Sequence, residues 1–575
     1  MNTVAIPLAR VEAQKPSRKA RGQAKGRQPT PEAQAEVRSL LQGQPLDDPR
    51  ADPRARDSLI EHLHRINDAH HGLPDTLLVA LAAEMRLSLA EVYEVATFYH
   101  HFEVLRDGAA APARITVRVC SSLSCAMAGS AALTQVLTHD LAARADVRVV
   151  EAPCIGRCHA APAAVVGQHC VDQATPASVT HAVESGHTQA QLHDAIGFDR
   201  YVAEGGYRVL DELLTGQRSI DSVISTLSSA GLRGLGGAGF PAGRKWGILR
   251  QQPAPRLIAV NIDEGEPGTF KDRVHLERDP HRLIEGALIA AHCIEASAIY
   301  LYLRDEYAGC RAVLERELAA LRAARKDLPT IHLRRGAGAY ICGEESALIE
   351  SLEGKRGWPR LRPPYVAEVG LFGRPTLEHN LETLHWVRDI ADHGATWFTQ
   401  HGRNGRRGLR SYSLSGRVNT PGMHLAPAGI SVRELVDEYG GGMQAGHTLY
   451  GYFPGGASGG MLPASLDHVP LDFDTLQPHG CFIGSAAVIV FSQADSARDL
   501  ALNAMRFFEH ESCGQCTPCR EGTQRAVQLM QQPRWDVPLL EELSAVMADA
   551  SICGLGQAAP NPLLCAIKYF PQEFE

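Results

Sequence analysis

The stretch LIAVNIDEGEPGTFKDR, residues 257–273, indicates the fold of the largest part of this chain. It opens with an apolar run that has the length of a buried strand, and a glycine-containing turn follows. Farther along, the sequence predicts a helix near residues 281–293 and a second strand over Ala298–Leu303. Strands that alternate with helices in this way are typical of an α/β domain with a parallel sheet.

Polar side chains crowd the end of the first strand. Asn261, Asp263, Glu264 and Glu266 lie at its C-terminal edge, and ligands of α/β sheets bind at such edges. Carboxylates packed so closely are costly unless a ligand uses them, and ribose hydroxyls or an amide are suitable donors. A solvated acidic turn is the alternative interpretation.

A glycine-rich segment, GLRGLGGAGFPAGRKW, precedes this strand at residues 231–246. The backbone N–H groups of Gly234, Gly236, Gly237 and Gly239 could approach a phosphate closely, and Arg244 or Lys245 could add charge. The segment follows a helix-like stretch, not the strand that a dinucleotide-binding unit requires. Nucleotide binding and a plain flexible turn therefore both stay open.

A third glycine-bearing segment, residues 338–365, adds polar and aromatic groups. It offers Tyr340, Glu344 and Glu345, then Arg362 as a cation and Tyr365 as a stacking ring. Together the three segments favour a site that holds a dinucleotide over a second planar cofactor.

Four cysteines near the end of the chain have the spacing of a metal centre. Cys513, Cys516 and Cys519 form a C-x2-C-x2-C run, and Cys553 follows one helical hairpin later. A [4Fe-4S] cluster needs four thiolates that converge on one cube, and a tight turn can supply three of them. A structural zinc ion is the alternative.

Two further cysteine pairs are Cys120 with Cys125 and Cys154 with Cys158. Each pair follows a predicted strand, so two neighbouring loops could present four thiolates to a [2Fe-2S] centre. The other cysteines are spaced irregularly, and we interpret them as buried packing: Cys170, Cys293, Cys310, Cys342, Cys481 and Cys565. So many unpaired thiols indicate a reducing compartment, and we expect the cytoplasm.

Composition excludes several classes of protein. Of the 575 residues, 44% are hydrophobic and 21% charged, as in ordinary globular chains. The formal net charge of −8 argues against a nucleic-acid partner. Charged side chains interrupt the most apolar stretch, residues 284–303, so no membrane span is predicted. Residues 1–30 hold seven basic side chains and one acid, and they are interpreted as a solvated tail or a segment that docks on an acidic partner.

The motifs resemble a known family. RGLGGAGFP, DEGEPGTFKDR, GAYICGEE, KRGWPRLRPP, ESCGQCTPCREG and SICGLG occur in this order, and residues 201–555 resemble the NADH-binding flavoprotein subunit of respiratory complex I. Residues 56–175, with VYEVATFY, VCSSLSC and APCIGRCHAAP, resemble the thioredoxin-like [2Fe-2S] subunit of that complex. Their fusion most resembles the flavin-bearing diaphorase subunit of soluble NAD-reducing [NiFe] hydrogenases. The equivalent subunits of NAD-dependent formate dehydrogenases and of complex I are the alternatives.

The resemblance implies an α/β multidomain protein. It would comprise a basic flexible tail (1–50), a helical segment with a thioredoxin-like [2Fe-2S] domain (51–185), a Rossmann-like FMN- and NAD(H)-binding domain (200–405), a small α+β ubiquitin-like domain (406–495) and a C-terminal helical bundle with a [4Fe-4S] cluster (496–575).

By motif position, the resemblance also implies the cofactor contacts. NAD(H) would contact Glu266, Glu345 and Arg362, while Phe240 and Tyr365 would stack on its adenine. Glu266 and Glu345 are the candidate catalytic residues in a positioning role, because the hydride step needs no acid or base. The flavin would be held by the glycine loop and by Lys245, Asn261, Asp263, Tyr340, Gly343, Glu344, Asn380 and Thr383, with Glu264 as a further cofactor-binding candidate. The [4Fe-4S] cluster would be bound by Cys513, Cys516, Cys519 and Cys553, and the [2Fe-2S] cluster by Cys120, Cys125, Cys154 and Cys158.

The chain departs from the family pattern at three places. His379 stands where the family usually has asparagine, so one flavin contact would be altered. Arg362 replaces a lysine, which keeps the charge but changes its geometry. The gap between Cys125 and Cys154 is shorter than in the family.

The function that the resemblance implies is an NAD-dependent oxidoreductase, the diaphorase (hydrogen dehydrogenase) subunit of an NAD-reducing hydrogenase. It would pass electrons between iron–sulfur clusters and NAD+ by hydride transfer at FMN. Its partners would be a small iron–sulfur electron-transfer subunit and hydrogenase subunits in a hetero-oligomer, with neither nucleic acid nor membrane. A flavin-free relay or scaffold protein is the remaining alternative.

Overall fold

A computed structural model describes residues 26–42, 55–109 and 112–574. Most of the predicted basic tail, residues 1–25 and 43–50, lies outside these ranges. Within the tail, Pro31–Gln42 forms helix α1, and its Val37 is fully buried. Val37, Leu40 and Leu41 share one apolar face of α1, which explains why this part of the predicted tail packs as a helix.

Three helices and two short parallel strands follow α1. Tyr99, just after the last of these helices, donates its hydroxyl to Ser351 Oγ and Lys355 O, both at 2.8 Å, and so fixes the segment on the central domain. The elements are α2 Leu59–His70, β1 Leu73–Pro74, α3 Asp75–Met85, α4 Leu89–Ala96 and β2 Val104–Leu105.

The next unit is a small α/β domain with a four-stranded sheet. Its elements are β3 Ile115–Cys120, α5 Leu123–Met127, α6 Ser130–Asp140, β4 Val147–Ala152, β5 Ala164–Val166, β6 His169–Val171 and α7 Pro176–Glu184. The strand order is β4-β3-β5-β6, with β3 and β4 parallel and the other neighbours antiparallel. The parallel pair β3 and β4 confirms the two predicted strands before the cysteine pairs.

The central domain is built on a four-stranded parallel sheet. It begins with α8 Phe198–Ala203, α9 Arg208–Leu214, α10 Ile220–Ala230 and α11 Ala242–Arg250. The sheet and its connections are β7 Arg256–Ile262, α12 Lys271–Arg278, α13 Pro280–Ile294, β8 Ala296–Leu303, α14 Ala308–Ala324, β9 Thr330–Arg335, α15 Glu345–Leu352, β10 Thr376–Asn380, α16 Leu381–His393 and α17 Ala395–Thr399. The strand order β10-β7-β8-β9 is Rossmann-like, and the direction of winding reverses between β7 and β10. Ligands of such sheets bind at this reversal.

A small α+β domain follows the central domain. It contains β11 Leu409–Gly416, β12 Gly422–Pro427, α18 Val432–Glu438, β13 Leu449–Phe453, β14 Leu462–Pro463 and β15 Ala487–Ser492. The order β12-β11-β15-β13-β14, with a parallel central pair β11 and β15, is the topology of a ubiquitin-like sheet.

The remaining residues form a helical unit. It comprises α19 Ala497–Glu511, α20 Thr517–Met530, α21 Val537–Ala550, α22 Gly554–Ala558 and α23 Asn561–Tyr569. No helix in the described part of the chain combines the length and hydropathy that crossing a membrane requires.

Candidate functional site

A crevice opens where β7 and β10 end side by side. Asn261 and Asn380, the partners in the last register position of these strands, lie at its floor. Asn261 Nδ2 donates to Gly343 O at 2.9 Å, and Asn380 Nδ2 donates to Asp272 Oδ2 at 2.6 Å. The strand ends thus hold the loops on either side of the crevice.

The glycine loop lies over this floor, between α10 and α11. A Cβ atom at Gly236 would come within 2.8 Å of Asn380 Cβ, so only glycine permits this approach. Leu235 N donates to Thr383 Oγ1 at 2.9 Å, which ties the loop to the first turn of α16. Gly237 and Gly239 have φ angles of +136° and +67°, which favour glycine.

Four charged side chains line one wall of the crevice. Lys245 Nζ lies 3.2 Å from Glu345 Oε1, and Arg362 Nη2 lies 3.3 Å from Glu345 Oε2. Arg362 also pairs with Glu344, whose other oxygen caps α15 by accepting from Ser346 N at 3.0 Å. This wall can offer both cations and carboxylates to a ligand that carries phosphates and hydroxyls.

Glu266 is fixed from two domains. Its Oε2 accepts the hydroxyl of Tyr340, and its Oε1 accepts Ser458 N of the ubiquitin-like domain at 2.7 Å. The backbone N of Tyr340 donates in turn to Glu511 Oε2 at 2.9 Å. Burial raises the pKa of Glu266 above its ordinary value, and the two hydrogen bonds oppose this effect.

Two carboxyl groups at the site have a buried oxygen that no described atom contacts by a hydrogen bond, namely Asp263 Oδ2 and Glu378 Oε2. Burial raises the pKa of Asp263 well above its ordinary value and that of Glu378 to about 8. Buried polar atoms are normally satisfied, so such atoms indicate a bound polar partner. Together with the close glycine loop, they fit a flavin mononucleotide, which has both ring nitrogens and a phosphate.

Two sequence-predicted positions have other partners. Glu264 caps α12, since it accepts from Asp272 N at 2.8 Å and Arg273 N at 3.1 Å, and it also accepts the hydroxyl of Tyr307. His379 accepts from Trp246 Nε1 at 2.9 Å, and on β10 it points to the face opposite Asn380. The departure at His379 therefore lies beneath α11 rather than in the crevice.

The predicted stacking rings lie at the rim. Phe240 is 42% exposed and Tyr365 is 55% exposed. An exposed aromatic ring offers a flat apolar face on which a planar ligand can stack. The rim is therefore suited to a planar ligand that enters from solvent.

The cysteines 513, 516, 519 and 553 converge between α19, α20 and α22. Cys516 and Cys553 are the N-cap residues of α20 and α22. Gly556 brings the two loops together, because a Cβ there would lie 2.8 Å from Cys519 Cβ. Burial raises the pKa of Cys519 to about 11 and that of Cys553 to about 12, so a metal must displace these protons when it binds.

The second cysteine set also converges, and all four side chains are buried. Cys120 lies within hydrogen-bonding reach of Cys125 and Cys154, and Cys154 Sγ lies 3.4 Å from Cys158 Sγ. Cys154 and Cys158 follow β4, as the sequence predicts, whereas Cys120 is the last residue of β3 and Cys125 lies on α5.

Sequence reasoning missed the residues that seat the second set on the central domain. Arg304 Nη2 donates to Cys154 O at 2.8 Å, and Arg273 Nε donates to Gly156 O at 3.0 Å. A Cβ at Gly156 would lie 2.3 Å from the hydroxyl oxygen of Tyr307. Arg304 and Tyr307 follow β8 directly, and their place at its C-terminal edge was the available signal.

Three family models match the chain. They are the Nuo51 FMN-binding domain over residues 227–389, the NADH-ubiquinone oxidoreductase-F iron-sulfur binding region over 499–575 and the thioredoxin-like [2Fe-2S] ferredoxin over 49–187.

Relatives and solved structures extend the match. The mitochondrial NADH-ubiquinone oxidoreductase 51 kDa subunit of Aspergillus niger is 38% identical and covers 68% of this chain and 82% of its own length. The mitochondrial NADH dehydrogenase [ubiquinone] flavoprotein 1 of Dictyostelium discoideum is 41% identical over 62% of this chain and 78% of its own. The crystal structure of an NAD+-reducing [NiFe]-hydrogenase in the H2-reduced state has a chain that is 33% identical, with a TM-score of 0.79, and it covers 91% of this chain and 92% of its own length. A chain from the crystal structure of the air-oxidized state has a TM-score of 0.80 at 33% identity, and it covers 91% of this chain and 94% of its own length.

Proposed function

The chain belongs to the family of the 51 kDa flavoprotein of NADH-ubiquinone oxidoreductase, and we propose that it is the diaphorase subunit of an NAD+-reducing [NiFe] hydrogenase. It is an NAD-dependent flavoprotein subunit with an FMN-binding domain, a [2Fe-2S] domain and a [4Fe-4S] region. The two iron–sulfur family models span the two cysteine sets, which supports iron–sulfur clusters there over the zinc alternative.

One observation carries the hydrogenase assignment. The hydrogenase chain covers 91% of this chain, whereas the 51 kDa relative from Aspergillus niger covers 68%. The fused arrangement of an iron–sulfur domain, a flavin domain and a second iron–sulfur region is therefore matched as a whole by the hydrogenase chain.

The proposed roles of the crevice residues follow from their contacts. Bound FMN would connect hydride transfer at NAD(H) with the one-electron chemistry of the clusters. Asn261 forms part of the crevice floor, and the glycine loop lies over it. Lys245 and Arg362 attract phosphates. Glu266 and Glu345 accept hydrogen bonds from NAD(H) and orient it, without acting as acid or base.

The partners that we propose are a small iron–sulfur subunit and hydrogenase subunits. Electrons that leave the flavin need an acceptor, and the relatives and structural neighbours are subunits of multisubunit assemblies. We propose a cytoplasmic location, because the six cysteines outside the two cluster sets form no disulfide in the structure.

The test uses the native complex purified through a tag on this chain. NAD+ reduction is followed at the NADH absorbance under H2, with a parallel reaction under formate. We expect reduction under H2 and none with formate. Reduction with formate alone would contradict the hydrogenase assignment and leave the flavin and cluster assignments intact.

A further inference from the structure

Two cysteines that the sequence analysis interpreted as buried packing lie side by side. Cys481 precedes β15 in the ubiquitin-like domain, and Cys565 lies on α23 of the helical unit. Their Sγ atoms are 3.6 Å apart, and the residues are 2% and 3% exposed. Neither belongs to the two cluster sets, so this is a separate pair of thiols that joins two domains.

The contact between the two thiols lowers the pKa of Cys565 and raises that of Cys481. The hydrogen bond from Cys481 lowers the pKa of Cys565 against the opposing effect of burial, and the backbone of Met461 and the charge of Lys568 also lower it. Cys293, a buried cysteine with no sulfur nearby, instead has its pKa raised to about 12 by burial. A thiolate in contact with a second thiol is the arrangement from which disulfides form.

The pair also lies against the loop that contains Ser458 and Gly460 and that donates a hydrogen bond to Glu266. A Cβ at Gly460 would lie 2.9 Å from Cys481 Sγ and 3.0 Å from Cys565 Sγ, so this glycine rests on both sulfurs. Ser458, two residues earlier, donates its backbone N–H to Glu266 Oε1 at 2.7 Å. Helix α23 holds the same loop, because Asn561 Nδ2 donates to Ser458 O at 2.9 Å.

We propose that Cys481 and Cys565 form a reversible oxidation site that a peroxide closes to a disulfide and a thiol reductant reopens. The sulfur of Cys565 attacks one oxygen of hydrogen peroxide, which gives a sulfenic acid and releases one water. The sulfur of Cys481 then displaces the hydroxyl group as a second water, and the S–S bond forms. Two thiols thereby lose two electrons and two protons, and one peroxide becomes two waters.

Closure has a consequence for the crevice. A disulfide bond is about 2.0 Å long, so the sulfurs must approach each other from 3.6 Å. Because Gly460 rests against both sulfurs and Cys565 lies on α23, which holds the same loop through Asn561, we expect closure to shift the loop that donates to Glu266. We expect a higher KM for NADH in the oxidised protein. This effect rests on the proposed role of Glu266, whereas the disulfide itself does not.

The experiment treats the reduced, purified complex with hydrogen peroxide and then blocks free thiols with iodoacetamide. Mass spectrometry of the digest should detect a peptide that joins Cys481 to Cys565, and dithiothreitol should remove it. With ferricyanide as acceptor, KM for NADH should rise at least threefold on oxidation and return after reduction.

Three variants control the interpretation. Cys481→Ala and Cys565→Ala should each abolish the joined peptide and the shift in KM, and having both keeps the test valid if one fails to fold. Both variants keep every cluster cysteine, so loss of the shift in them separates the effect from peroxide damage to the clusters. Cys293→Ala should behave as wild type, which shows that removing a buried thiol elsewhere does not abolish the response. Independent alkylation of both thiols in the oxidised wild type would overturn the proposed site. The joined peptide with an unchanged KM would overturn only its connection to Glu266.

Discussion

Glu266 accepts hydrogen bonds from Tyr340 and Ser458 and is only 9% exposed. We expect Glu266→Gln to lower kcat/KM for NADH by about 10- to 100-fold, because a hydrogen bond to a charged group contributes about 1.5–3 kcal/mol. FMN content should not change. The assay is NADH oxidation with ferricyanide, and Glu315→Gln, on a side chain that is 63% exposed, is the matched control. An unchanged kcat/KM would contradict the role of Glu266.

Glu378 connects the charge of the site to the stability of the protein. Burial raises its pKa from 4.5 to about 8, so the folded protein retains a proton that the unfolded chain releases between these pH values. Its stabilising contribution is therefore present at acid pH and is lost as pH rises towards 8. We expect Glu378→Gln to reduce the fall in Tm between pH 5.5 and 8.5, as measured by thermal unfolding. An equal fall in wild type and variant would contradict the raised pKa.

At the scale of elements, the approach of the glycine loop to β10 is the contact most sensitive to one added methyl group. Gly236→Ala would place a Cβ 2.8 Å from Asn380 Cβ, so we expect loss of most FMN with iron content retained. Gly247→Ala, on the neighbouring helix α11, places its Cβ in open space and is the matched control. Released FMN is measured by fluorescence after denaturation. Full flavin content in Gly236→Ala would contradict the position of the loop.

The elements also show which strands and site residues could be predicted from the sequence. Strands β7 and β8 were predictable because Leu257–Ile262 and Ala298–Leu303 are almost entirely apolar. Strand β10 was not, because TLEHN is short and mostly polar, and it is a strand only through its pairing with β7. Glu378, carried by β10, was missed for the same reason. The cysteine sets were recognisable from their spacing. The contacts of Arg304 and Tyr307 with the loop of Cys154 were not, because they form between two domains.

At the scale of the whole molecule, the two cysteine sets reach the flavin domain from different domains: Cys513 and Cys553 belong to the C-terminal helical unit, and Cys154 and Cys158 to the small α/β domain. Burial and, to a smaller extent, the charge of Glu344 in the crevice wall raise the pKa of Cys513 and Cys553. Cys154 and Cys158 pack against Phe270, and the charge of Cys154 acts on Glu266. We expect Cys553→Ser to lower H2-dependent NAD+ reduction more than 100-fold and Cys154→Ser to leave at least half of it. Electron paramagnetic resonance identifies the cluster lost in each variant. A large loss in Cys154→Ser would contradict the hypothesis that the [2Fe-2S] cluster is a side branch.

The segment between α7 and α8 joins the [2Fe-2S] domain to the flavin domain in one chain, and His193 within it contacts Glu277 at 3.2 Å. Because a short linker joins the two domains, their association is intramolecular, with an effective concentration in the millimolar range. Contacts such as Arg304 with Cys154 therefore need not provide the affinity that two separate subunits would require. Each chain brings one [2Fe-2S] domain to its own flavin site, and dilution cannot separate them.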